Sequence, residues 1–95
     1  MTTTELNRKF SEFVLLNIKQ GGVKDTPESR AYLAAQAHTD WLCDNSWKRE
    51  QPHFWVNKHH KDCYFVTDNH KLELYVYDRE TEELVLTEEL PHAAV

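Results

Sequence analysis

The sequence predicts an α+β fold, with two N-terminal helices packed on one face of a four-stranded antiparallel β-meander, as a single domain over residues 1–95. Three observations point to it. Leu72, Leu74 and Val76 alternate with Glu73, Tyr75 and Tyr77, the period of two that sends side chains to opposite faces of a strand. Two upstream stretches carry apolar residues at helical spacing. From His53 onward, short extended runs are separated by polar breaks of hairpin length. A strand cannot bury an apolar face alone, so the upstream helices read as its cover.

The first helix is expected over Thr2–Gln20. Thr2 and Glu5 match a capping box, and Leu6, Phe10, Phe13, Val14 and Ile18 form an apolar stripe. Leu15 and Leu16 widen that stripe, which predicts a helix covered on more than one side. Gly21-Gly22, the only glycines, end it through a left-handed exit. The second helix starts with Thr26 as N-cap and Pro27 at the first helical position, and runs to about Asn45. Leu33, Ala37 and Trp41 lie along one line flanked by Tyr32, Ala34 and Leu42, and alanines at 31, 34, 35 and 37 let the first helix approach closely.

Asn45–Pro52 reads as a polar linker with a short helical turn. The strands are expected at His53–Lys58, Asp62–Thr67, Leu72–Tyr77 and Glu83–Thr87, with the tail after Pro91 leaving the sheet.

Charge is unevenly placed. The net of −5 divides into +1 over residues 1–67 and −6 over residues 68–95. A negative field on the last hairpin repels phosphate backbones and attracts basic surfaces, so direct nucleic-acid binding is disfavoured. Two cysteines and no signal-peptide pattern suggest free thiols in a reducing, cytoplasmic setting, and no run approaches the ~18–20 apolar residues of a membrane span.

Chemistry-bearing motifs are few. His60-x-x-Cys63 has metal-ligand spacing across a turn, and with His59 and His70 (His53 as a substitute) it forms a candidate zinc set. Against it, structural zinc takes four ligands, often in two close pairs, and only one close pair exists here; polar hairpin loops also carry histidines for no further reason. Cys43 and His38 suggest a nucleophile and base, but five residues on a helix separate them by about 140°, so Cys43 is expected to be a buried small hydrophobe. The carboxylates near Glu80–Glu89 lack an apolar recess that would shift their pKa. Phosphate loops, nucleophile elbows and His-Glu-x-x-His motifs do not occur, and no enzymatic activity is expected.

The stronger candidate is aromatic. With Leu72, Leu74 and Val76 turned to the helices, Tyr75 and Tyr77 face outward beside Glu73, and Trp55, opposite in parity to Phe54 and Val56, joins them. Ringed by Asp78, Glu80, Glu82, Glu83 and Glu88, such a face fits protein recognition. Ordinary cross-strand aromatic pairing would produce the same pattern.

Tyr32-Leu33-Ala34, Trp41-Leu42-Cys43-Asp44, Phe54-Trp55-Val56 and an acidic hairpin ending in Leu90-Pro91 together resemble a small family of uncharacterised bacterial and mobile-element proteins, over about two-thirds of the chain. The resemblance implies a two-helix, antiparallel-sheet domain and brings no assigned activity or functional residue. Compact acidic proteins of mobile elements are also similar to phage-encoded inhibitors of host defence, including anti-CRISPR proteins, an analogy of size and charge. The expected function is therefore a non-enzymatic inhibitor or binding module, without a cofactor, that occupies a basic surface of a protein partner. A small zinc domain and a self-associating structural module, a homodimer paired through an edge such as Glu83–Thr87, are the alternatives.

Overall fold

A computed structural model describes residues 1–68 and 70–91; the expected departure of the tail after Pro91 lies outside them. Helices α1 (Thr3–Gly21) and α2 (Pro27–Asp44) precede strands β1 (Trp47–Gln51), β2 (Phe54–Asn57), β3 (Cys63–Val66), β4 (Glu73–Asp78) and β5 (Glu83–Thr87). The strands form one sheet in the order β1-β2-β3-β4-β5, each antiparallel to the next. The fold is α+β as expected, with five strands rather than four.

The added strand is β1, where a linker with a helical turn is predicted. Only Trp47 of its residues is buried, and the following Lys-Arg-Glu-Gln run is exposed along a sheet edge. An edge strand with one buried side chain shows no hydrophobic alternation to read. A register shift between Arg49 and Gln51 bends it, and Lys58 N–H donates to the Ser46 carbonyl at 2.9 Å at the open end of the hairpin.

Both helix starts follow the predicted caps. The Thr2 hydroxyl accepts from Glu5 N–H at 3.2 Å, and the Thr26 hydroxyl from Ser29 N–H at 3.1 Å. Gly22, at φ +68°, takes the left-handed exit of α1. Leu6, Phe10, Ala37 and Leu42 of the helices meet Trp47, Trp55, Phe65, Leu72 and Leu74 in the main core. Phe65 sits at its centre, with Trp47 tilted against it at 4.5 Å and Trp41 edge-on at 6.0 Å. Val14, Leu33 and Ala34 form a separate cluster between the helices alone.

Three expectations about the helices need correction. Phe13, Leu15 and Leu16 are exposed, because the sheet and α2 together cover only the Leu6–Phe10–Val14 line of α1. Tyr32 is exposed too. Cys43 is exposed rather than buried, while its neighbour Leu42 is buried as expected.

Two polar ties hold α1 to the sheet. The Asn7 amide donates to the Leu72 carbonyl and accepts from Leu72 N–H, both at 2.9 Å, so one side chain acts as a strand partner. At the helix start, Thr3 N–H donates to the Glu88 carbonyl at 3.0 Å. Among the described residues no helix is long and apolar enough to cross a membrane.

Candidate functional site: the uncovered face of the sheet

Register and burial together settle the two faces. Trp55 pairs with Phe65 and Phe65 with Leu74, all three buried under the helices. The intervening pairs, Phe54 with Val66, Val56 with Tyr64, Tyr64 with Tyr75, Tyr75 with Leu86 and Tyr77 with Leu84, therefore occupy the opposite face. Among the described residues no helix lies over it.

Trp55 is thus corrected: it is 3% exposed and belongs to the core rather than to the recognition face. Phe54 and Val56 take the outer places. Both parities of Phe54-Trp55-Val56 are apolar, so local alternation could not say which points inward; the neighbouring register decides it. The outer positions of Tyr75, Tyr77 and Glu73 follow the expectation, with Leu74 at 0% exposure on the inner side.

The outer face is an aromatic and aliphatic band running from Phe54 to Leu86 across four strands. Phe54 stacks on Tyr64 with centroids 4.9 Å apart and rings at 27°. The Tyr75 hydroxyl donates to Glu73 Oε2 at 2.8 Å, which holds the ring in place and raises the phenol pKa by stabilising its protonated form. At the far end Leu84 and Leu86 are exposed. Alternation within a single strand does not mark Phe54, Val56, Tyr64, Val66, Leu84 or Leu86 as outward. Their signal is parity relative to Phe65 and Leu74, legible only once the strands are in register.

Acidic groups border the band at the β4–β5 end. The Asp78 carboxylate accepts from Glu80 N–H at 2.9 Å, shaping a turn that presents Glu80, Glu82 and Glu83 to solvent. Glu82 has φ +57°, an unusual backbone for a residue with a side chain. Arg79 is drawn to Asp62 at 3.2 Å across the neighbouring turn, an exposed pair of little energetic weight.

Glu88 has a different task from the other acids. Its carboxylate accepts from the Thr3 hydroxyl at 2.6 Å and from Thr4 N–H at 2.8 Å, capping the positive end of α1. Those donors hold its pKa down at about 2. It is occupied within the fold.

The predicted metal ligands are divided between two places. His59 and His60 follow β2, where the side-chain Oδ1 of the buried Asn57 accepts both their backbone N–H groups at 2.8 and 3.0 Å, and they line a depression with Trp47 and Pro91. His70 instead faces the α2 side, in a cleft shared with His38, His53 and Trp55. Cys63 is half-buried, and burial followed by the nearby Asp62 pushes its thiol pKa up, away from the thiolate that a metal needs. Among the described residues no three His, Cys, Asp or Glu side chains converge on one point. Cys43 faces outward while His38 is buried, so they do not form a nucleophile–base pair.

Comparison with protein-family models, curated proteins and solved structures finds no match to this chain.

Proposed function

We propose that this protein is a non-enzymatic binding module whose uncovered sheet face docks on a protein partner with a basic rim. The observation that carries the reading is the contiguous band from Phe54 to Leu86 on a face that no helix or strand among the described residues covers. A solvated sheet face ordinarily alternates toward polar residues, and an apolar band of this extent marks an interaction surface. Stacked or hydroxyl-anchored aromatics such as Tyr64 and Tyr75 are rigid, low-entropy anchors of the kind that supply most of the affinity at an interface.

Charge selects the partner. Glu73, Asp78, Glu80, Glu82 and Glu83 lie beside the band, and their field complements a cationic groove. Proteins that handle nucleic acid carry such grooves, and an acidic module placed there would exclude the nucleic acid. Inhibition of a host-defence enzyme is one biological form of that activity. A second copy of this chain fits less well, because stacking two acidic hairpins would set like charges together.

Two variant sets test the proposal. One replaces Tyr64, Tyr77 and Leu86 with serine; the other replaces Glu80, Glu82 and Glu83 with lysine. Glu88 is left out because its reversal would damage the α1 cap. A partner captured by photocrosslinking through Leu84 in native host extract should be lost with the serine set. Once purified, it should associate at least ~10-fold more slowly with the lysine set, and with a flatter salt dependence. It should also compete with nucleic acid for the same groove. Undiminished capture by the serine set would refute the docking face, and salt-independent association would refute the electrostatic selection.

A further inference from the structure

The helix-covered side of the sheet holds a second feature that the docking face does not use. His38 Nε2 and Trp55 Nε1 are buried without a hydrogen-bond partner among the described residues. Both side chains are almost wholly buried, at 2% and 3% exposure, and both line one cleft of about 470 Å³ between α2, the β1–β2 turn and the β3–β4 connection. Buried polar groups without partners are rare, and two around one cleft point to a ligand that satisfies them.

The chemistry of the lining restricts that ligand. An indole N–H only donates, so the ligand must bring an acceptor to Trp55. Above the same ring the Arg49 guanidinium lies 4.9 Å from the centroid, with its donors directed to no carboxylate among the described residues. Arginine's fork matches a carboxylate in both shape and charge. His38 stays neutral at pH 7, since burial and the neighbouring His70 push its pKa down to about 4, and a neutral imidazole can share the remaining oxygen. Asp68 also lines the cleft, which disfavours a dianion. Ala31, Ala35 and Pro52 supply apolar wall.

We propose that this cleft binds a small monocarboxylate with an apolar body. The volume falls within the range of small-molecule sites, roughly 300–1,000 Å³.

The test is a titration of the isotope-labelled protein with benzoate, followed through the three tryptophan indole N–H resonances, with Trp55 assigned from the Trp55→Phe spectrum. Benzoate should move the Trp55 resonance saturably and leave Trp41 and Trp47 nearly still. Arg49→Gln, at an exposed position, should weaken binding roughly 10-fold or more, the loss expected for a charged hydrogen bond. Benzamide, the uncharged isostere, should bind comparably weakly, and inorganic phosphate should not move Trp55. The site is refuted if Trp55 stays unmoved through the millimolar range, or if all three indoles drift together without saturation. Equal binding of benzamide or phosphate would refute the carboxylate assignment, and an undiminished Arg49→Gln response would refute the role of the guanidinium. These outcomes are independent of the docking face, which contributes no residue to the cleft.

Discussion

Leu74 and Val76 are two residues apart on β4 and share the inward-facing parity, yet Leu74 is 0% exposed and Val76 is 37% exposed. Their strand partners repeat the contrast. Leu74 neighbours Phe65 in the middle of the core, whereas Val76 neighbours Val85, itself 50% exposed. The helices cover the first part of β4 and stop short of the β4–β5 hairpin, which therefore carries apolar side chains on both faces without shelter. Parity gives a side chain its direction. Burial depends on whether something lies in that direction.

The largest way to sharpen the contrast is truncation on either side of it. Leu74→Ala should cost about 3 kcal/mol, the usual penalty for a cavity in a close-packed core, while Val85→Ala should cost less than about 1 kcal/mol. Chemical denaturation of the two variants checks this, and similar losses would break the comparison.

Titration provides the next test of the covered half. The His38 pKa falls from 6.5 to about 4 on folding, through burial and then through His70. Between those values the unfolded chain takes up the proton first, so stability is complete above pH 6.5 and declines as pH falls toward 4. The loss should be at most about 3 kcal/mol, and smaller to the extent that solvent reaching the cleft screens the charge. Arg49, His53, Asp68 and His70 are the other charged or titratable groups lining the same cleft. His38→Gln should flatten this part of the stability–pH curve, and an unchanged slope would assign it elsewhere.

Glu88 governs a lower window. Its carboxyl pKa is depressed on folding, so its contribution is present above the ordinary value of 4.5 and disappears as pH falls through about 2. Glu88→Gln should lower the thermal midpoint at pH 7 and converge with the parent chain in strong acid.

The smallest effect is expected within the uncovered hairpin. Glu82→Gly removes a side chain from a left-handed backbone and should stabilise the fold by about 0.5 kcal/mol, after the entropy cost of glycine is subtracted. Loss of stability would mean that the Glu82 side chain matters to the folded hairpin.

Much of this architecture is legible in the amino-acid order. Thr2, Thr26, Pro27 and the glycine pair announce the helix ends, and the polar breaks after residues 58, 67 and 77 announce the hairpins. The strand β1 is not legible, because one buried Trp47 followed by four polar residues is also what a linker looks like. The face of Trp55 is ambiguous for the opposite reason: its neighbours Phe54 and Val56 are as apolar as it is. Cys43 is expected inside on residue type alone, and it sits about 100° around the helix from the buried Leu42, beyond the covered face. In the candidate site, Glu73, Tyr75 and Tyr77 of β4 are legible from alternation within one strand, while the aliphatic half is legible only from pairing between strands. The same holds for the unpartnered His38 and Trp55 atoms, whose meaning rests on what surrounds them in three dimensions.

The ladder of adjacent strands also bears on how the chain reaches this state. Every pairing within the sheet closes a short loop, but the clasp between Thr3 and Glu88 joins residues 85 apart. Such a distant closure forms late, after the loop entropy has been reduced by earlier steps. Weakening it should therefore speed unfolding while leaving the refolding rate almost unchanged. The clasp acts as a brake on opening.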